Sequence, residues 1–160
     1  MSTVPSKPVQ ASIVQLAQVM QPTDANVTGN VHGGTLMKLA DTAGALVSIR
    51  HSGGRVATIV MDSMTFLEPV YVGNLLHLVG RLTWVGRTSM ETEVLIDAED
   101  PPTGTRRRVS TAFLVFVAVG PDGRPAPVPR LDLIADEDRI RWAAAEQRRK
   151  RRLAAARPAG

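Results

Sequence analysis

Cysteine is absent from the 160 residues, which excludes a disulfide scaffold, a thiol nucleophile and a zinc–thiolate centre together. No apolar run reaches membrane-spanning length, and the opening Met-Ser-Thr-Val-Pro-Ser-Lys-Pro has no apolar stretch of the kind a secretory leader needs. A cytoplasmic protein with no membrane contact is expected. Aromatic residues are scarce, at 4%, and the arginine-rich C-terminal stretch has only Trp142 near it, so the interleaved rings on which bases stack are missing. The net charge of +4 is uneven: residues 136–160 hold eight Arg or Lys against four acids, and the remaining residues balance at 11 against 11. The basic character thus belongs to a tail. For that tail, subunit packing or contact with a nucleotide phosphate is the expected role, and specific nucleic-acid recognition is not.

What is present suits one domain with a real core: 44% of residues are hydrophobic and 21% charged. Residues 1–8 read as a disordered start and residues 131–160 as a basic helical tail, leaving 9–130 as the domain. Within it, Gln10 to Met20 alternates loosely through Ile13, Leu16 and Val19, as a first strand does. Four further strand-like runs follow later: Val56 to Phe66, Leu75 to Val85, Thr88 to Ala98 with Met90, Thr92, Val94 and Ile96 on one face, and Val109 to Val119. The last is an almost continuous β-branched and aromatic run, which predicts an inner strand. Asp136-Glu137-Asp138 then opens a final helix with acids first and arginines later, matching the helix dipole.

Between the first strand and the others lies the stretch around which the chain is organised, Thr23 to His51. Its first half collects turn formers, Asp24, Asn26, Gly29 and Asn30, and ends in Gly33-Gly34. From Thr35 to Arg50 the run is apolar on most sides, which predicts a buried helix, and Ser52-Gly53-Gly54 supplies its stop. A strand, a buried helix and an antiparallel meander make an α+β layer with one helix covering one sheet. Asp41 is isolated in the middle of that helix. It reads either as half of a solvated i, i+3 pair with Lys38 or as a carboxylate in apolar company, which must be paired, hydrogen-bonded or perturbed.

The segment Asp24-Ala25-Asn26-Val27-Thr28-Gly29-Asn30-Val31-His32-Gly33-Gly34, followed by Lys38-Leu39-Ala40-Asp41 and Ala43-Gly44, resembles the signature of the hotdog-fold acyl-CoA thioesterases. Met64-Thr65-Phe66-Leu67 with Pro69-Val70, Val85-Gly86-Arg87-Thr88-Ser89-Met90 and Phe116-Val117-Ala118-Val119 are similar to the same family, and the resemblance runs from about Ile13 to Pro129. It implies a single hotdog domain, an antiparallel sheet wrapped around one central helix, acting as an acyl-CoA hydrolase with no metal and no cofactor beyond the CoA of its substrate. Glu68 departs from the pattern, being acidic where relatives often have a basic or neutral residue.

Thioester hydrolysis needs a water at the acyl carbon, a group for its proton, and donors for the oxygen that turns negative. The resemblance implies Asp41 as general base or nucleophile, Asn26 as its partner in orienting water and substrate, and a backbone N–H of Gly33 or Gly34 as oxyanion donor. Asp41 lies seven or eight residues into the helix from those glycines, several ångströms away. One chain therefore should not close the site, and a homodimer with antiparallel central helices should. The family resemblance implies the same composite site and a larger assembly, a hexamer built as a trimer of dimers. For the CoA end it implies the Gly86-Arg87-Thr88-Ser89 turn. Arg106, Arg107 and Arg108 offer guanidinium forks for phosphates or simply a solvated strand end, and Met61, Met64, Phe66 and Leu67 would set the acyl tunnel. Two rivals stay open: an enoyl-thioester hydratase of the same fold using His32, and a non-enzymatic acyl-CoA-binding protein. His32 is expected to shape the loop, and His51 and His77 to be structural.

Overall fold

The structure is a computed structural model that describes residues 5–156. In chain order, the elements are strands β1 (Ser6–Pro8) and β2 (Val14–Val19), helix α1 (Gly33–Ser52), strands β3 (Arg55–Phe66), β4 (Leu75–Val85), β5 (Ser89–Asp100), β6 (Thr105–Val119) and β7 (Arg130–Asp132), and helix α2 (Asp136–Ala155). Five strands form one antiparallel sheet in the order β2-β4-β5-β6-β3. α1 lies across one face, as expected of an α+β hotdog layer.

Two sequence expectations change. The four later runs are not one meander: β4, β5 and β6 are, but β3 passes to the far edge and pairs with β6. The link from β3 to β4, residues 67–74, is too long and too interrupted by Pro69 to act as a hairpin turn, so no local geometry holds those strands together. β6, apolar on both faces, gains a neighbour on each side and is the inner strand its composition predicts. The disordered start also shortens. Residues 1–4 lie outside the described range, but Ser6–Pro8 pairs in parallel with Arg130–Asp132, and Lys7 Nζ donates to the carbonyls of Arg50 and His51 at 3.2 and 2.8 Å. A cation on the last carbonyls is where the helix dipole favours one, and Gly53 ends α1 in the left-handed conformation at φ 75°.

The core is the contact between α1 and the sheet. Leu36, Ala40, Ala43 and Val47 are buried along one stripe of the helix. Facing them are the alternate residues Leu76, Leu78, Leu82, Met90, Val94, Ile96, Ala112, Leu114 and Phe116, all 1% exposed or less. Each large side chain buried this way contributes about 1.5–3 kcal/mol. Small residues let the layers approach: a Cβ on Gly44 would lie 2.8 Å from the Phe116 ring and the Thr92 hydroxyl, and one on Gly80 would lie 2.9 Å from Val47.

The opposite face of the sheet is charged and half covered by α2. Glu91 on β5 is fully buried there. It accepts from Arg148 Nη2 at 2.7 Å, Arg152 Nη1 at 3.0 Å and Thr83 Oγ1 at 2.7 Å. Arg148 also stacks 3.8 Å from the Phe113 ring centre, and Trp142 of α2 packs 5.9 Å from Trp84. Two arginines of the basic tail are thus internal counter-ions, while Lys150 and Arg151 remain exposed. No helix among the described residues is long and apolar enough to cross a membrane.

Gly44→Ala tests the helix–sheet contact. In a helix interior the change ordinarily stabilises by about 0.5–1 kcal/mol, but here overpacking should reverse the sign and cost about 1–3 kcal/mol, read as a lower urea midpoint.

Candidate functional site

The loop before α1 is built by its own polar side chains. Three donors converge on Asn26 Oδ1: the Thr28 N–H at 2.9 Å, the Thr28 hydroxyl at 2.6 Å and the Asn30 N–H at 3.2 Å. This Asx arrangement uses up the amide oxygen and leaves the Asn26 NH2 group without a partner among the described residues. His32 follows as the N-cap of α1, its Nδ1 accepting the Gly34 N–H at 2.9 Å. The loop-shaping role expected of His32 is therefore visible as a cap. It has a cost for the oxyanion assignment: the Gly34 N–H is already engaged, and of the two glycines only Gly33 keeps an unpartnered N–H.

Asn26 and Gly33 line a cleft of about 310 Å³ together with Val31, Leu36, Phe66, Glu68 and Val70. The Phe66 ring lies against Gly33, 3.5 Å from where a Cβ would stand. One polar edge and one apolar wall thus meet at the positive end of α1, a setting that favours a developing negative oxygen.

Asp41 is elsewhere. Eight residues along the helix from Gly33, it lies about 12 Å further down the axis, outside the cleft lining. Its partner is Thr58 on β3, whose hydroxyl donates to Asp41 Oδ1 at 2.8 Å. The solvated pair with Lys38 is not formed; the salt bridges among the described residues do not include it. Register shifts interrupt β3 between Thr58 and Val60 and between Met61 and Ser63, and such bulges re-aim side chains. As a result Thr58, Met61, Met64 and Phe66 stand opposite Phe116, Leu114, Ala112 and Ser110, on the side facing α1. Met64, between Thr58 and Phe66 on β3, packs on the core without lining the cleft.

The comparisons with known proteins give the family. A family model described as "Thioesterase superfamily" matches residues 28–105. The acyl-CoA thioester hydrolase YciA of Salmonella typhimurium is 35% identical over 132 residues, covering 81% of this chain and 98% of that protein. The chain belongs to the thioesterase superfamily. The human cytosolic acyl coenzyme A thioester hydrolase is 34% identical over 136 residues, covering 83% of this chain but 35% of its own length. The chain thus spans about a third of the length of its mammalian relatives. Among solved structures, an apo hexameric acyl-CoA thioesterase superposes with a TM-score of 0.92 at 32% identity, covering 98% of this chain and 100% of that one. The acyl-CoA hydrolase of Staphylococcus aureus, in complex with butyryl coenzyme A, coenzyme A and coenzyme A disulfide, gives 0.87 at 31% identity, covering 94% and 92%. Single alanine variants of that enzyme, at an aspartate, an asparagine and a threonine, match at similar scores.

In this thioesterase-superfamily chain the residues expected at the CoA end do not come together. Gly86, Arg87, Thr88 and Ser89 form the β4–β5 turn, closed by the Gly86 N–H on the Ser89 carbonyl at 2.8 Å; Thr88 and Arg87 carbonyls accept from Ala118 and Val128. Arg106 and Arg108, on β6, sit opposite the other end of β5, about 26–33 Å from Ser89 at roughly 3.3 Å per residue. There Arg106 pairs with Glu99 at 3.1 Å and Arg108 with Asp97, on the face away from α1. The phosphate clamp expected of them is occupied by carboxylates that their spacing in sequence does not reveal. Thr58 is the functional candidate that the sequence reading missed. Its one signal is being the sole hydroxyl in the row of β3 side chains facing α1.

The histidines divide. His77, expected to be structural, has its Nε2 2.5 Å from Glu99 Oε2 across the β4–β5 pair, a neighbour 22 residues distant. That hydrogen bond holds the Glu99 carboxyl below its usual range, with Arg106 helping. His51 is structural as expected: fully buried, its Nε2 donates to the Pro129 carbonyl at 2.9 Å, and its Nδ1 has no partner. Burial lowers its pKa from the ordinary 6.5, against the raising effect of the Pro129 carbonyl and with a smaller lowering from Lys7.

That shift sets a pH dependence. Below about pH 6.5 the unfolded chain takes up a proton at His51 before the folded chain does, so stability falls as pH falls through that range. Urea midpoints should decline more steeply below about pH 6.5 in the wild type than in His51→Gln, which keeps a donor for Pro129 and cannot titrate; parallel declines would contradict the assignment.

Proposed function

We propose that this protein is an acyl-CoA hydrolase whose active site is assembled from two subunits: acyl-CoA and water give a free carboxylic acid and CoA. The observation that carries this reading is the division just described, Asp41 with Thr58 in one place and Asn26 with Gly33 in another, within a chain that leaves the surface between them uncovered. Met37, Leu46 and Ile49 on the outer side of α1 are about 40% exposed, and Ile59 and Val60 on the edge strand β3 are 59% and 37% exposed. An unpaired strand edge beside an exposed apolar helix face is what a two-fold partner would cover. With two copies placed antiparallel, the Asp41 of one would face the cleft of the other.

In that arrangement the Thr58 hydroxyl fixes one oxygen of Asp41 and leaves the second for a water. Asp41 acts as general base, taking the water's proton as the oxygen attacks the acyl carbon. The Asn26 NH2 group and the Gly33 N–H receive the carbonyl oxygen as it becomes negative. Collapse expels CoA as its thiolate, and the proton is returned to sulfur. Val31, Leu36 and Phe66 receive the acyl chain, Met64 backs them from the core, and the partner's Gly86–Ser89 turn, with Arg87, meets the CoA.

Two comparisons support this assignment. The aspartate, asparagine and threonine replaced in the Staphylococcus aureus hydrolase stand in the same chain order and spacing as Asn26, Asp41 and Thr58, fifteen residues from Asn to Asp and seventeen from Asp to Thr. Solved relatives described as hexameric thioesterases support a hexamer, for which a trimer of such dimers is the reading, and the mammalian relatives named cytosolic support action in the cytoplasm. The hydratase reading has no comparable support, because His32 is engaged as a helix cap.

Thiol release from butyryl-CoA tests the proposal. Asp41→Asn should lower kcat by about 100-fold or more, and Asn26→Ala should be similarly impaired. When the two variants are co-expressed, hybrid dimers hold one intact site each, and activity should return to about a quarter of wild type by random pairing. Continued inactivity of the mixture, with hybrids shown to form, would sink the shared site; an inactive wild type would sink the hydrolase.

A further inference from the structure

The hydrolase reading says what reaction the cleft performs, and one wall of the cleft bears on which acyl groups it accepts. That wall is the segment Leu67 to Val70, and it holds the cleft's single ionisable group. Glu68 lines the cleft with Asn26, Gly33 and Phe66, and every other lining residue is neutral. Its counter-ion, Arg107, does not line the cleft. Arg107 Nε lies 2.9 Å from Glu68 Oε2, Nη2 donates to the Pro69 carbonyl at 2.7 Å and, more weakly, to Asn74 Oδ1 at 3.4 Å. The guanidinium carbon stands 5.8 Å from the centre of the Tyr71 ring.

These contacts tie Arg107 to the outer side of the wall. To reach an anion inside the cleft it would have to leave a carboxylate, a carbonyl, an amide and a ring at once. Glu68, half exposed, is held in place by the same arginine. An occupant of the cleft therefore meets a held carboxylate whose paired cation, Arg107, does not line the cleft. A chain that ends in a methyl group is indifferent to that charge. A chain that ends in its own carboxylate is carried toward a like charge, at a partly exposed site where such repulsion is screened but not abolished.

We infer that Glu68, anchored by Arg107, is a specificity-determining residue that directs this enzyme to neutral acyl groups and away from acyl groups bearing a second carboxylate. The inference rests on the hydrolase reading, with the acyl chain in this cleft. It differs from a purely structural role for the Glu68–Arg107 pair, which would change all substrates alike.

The experiment compares pentanoyl-CoA with glutaryl-CoA, acyl groups of equal length that differ at the far end by one carboxylate. Thiol release should give the wild type a kcat/KM at least about tenfold higher for pentanoyl-CoA. Glu68→Gln, similar in shape and still an acceptor for Arg107, should reduce that preference by about tenfold, an energy of about 1.4 kcal/mol, by raising the glutaryl value. A preference unchanged within about twofold overturns the inference, and so does one that shrinks only through loss on pentanoyl-CoA. The same ratio read as dissociation constants on the Asp41→Asn chain, with and without Glu68→Gln, needs no turnover. A wild type that hydrolyses neither ester contradicts the hydrolase reading, whereas the binding ratio still decides whether Glu68 discriminates.

Discussion

The close seating of α1 on the sheet is the constraint on which the rest of this protein depends. Gly44 against Phe116 and Thr92, and Gly80 against Val47, leave no room between the layers for even a methyl group. That proximity lets the Ala40, Ala43 and Val47 stripe bury completely, and burial of this kind supplies most of the driving force in a domain of this size. It also fixes the rotation of the helix. With the stripe inward, Asp41 is turned toward β3 and Thr58, and the apolar residues Met37, Leu46 and Ile49 are turned outward. The position of the carboxylate and the exposure of the opposite helix face are thus two consequences of one packing decision.

The two faces of the sheet obey different physics. On the α1 side the contact is almost wholly apolar and, among the described residues, rests on no ion pair between helix and sheet. On the α2 side it is ionic: the acidic outward residues of β5 are Glu91, Glu93, Asp97 and Glu99, and each has an arginine beside it, from α2, β4 or β6. A fully buried Glu91 without Arg148 and Arg152 would be an uncompensated charge, costing about 3–5 kcal/mol. The arginine-rich tail is therefore partly a structural requirement of the acidic strand it crosses. Its positive charge is spent on the sheet at those two positions, which is why its composition overstates how basic the surface is.

A similar economy of groups governs the site. Asn26, Asp41 and the Gly33-Gly34 backbone each hold one structural bond and keep another group free. Asn26 uses its oxygen in the loop and keeps its NH2 group. Asp41 has one oxygen held by Thr58. Gly34 gives its N–H to His32, leaving that of Gly33. Preorganisation of this sort is what electrostatic catalysis requires, because groups already fixed need not reorganise as charge develops.

Much of this was legible in the chain itself. Local signals are encoded by nearest neighbours, so the Asx loop, the glycines at the start and end of α1, the strands and the acid-first final helix could be read directly, and the order of segments was enough to suggest the family. Asp41 stood out as an isolated carboxylate in a mostly apolar helix, whereas Asn26, one turn former among several, was singled out only by the resemblance to the family signature. What only the tertiary structure decided are the partnerships between distant residues. β3 crossing to β6, Thr58 reaching Asp41, His77 meeting Glu99, Arg107 holding Glu68 and Arg148 meeting Glu91 all join residues 17 to 64 positions apart. The physical reason is that strand pairing and burial set these distances, and neither depends on separation along the chain. Composition fixed that a carboxylate would need a partner; the sheet fixed which one.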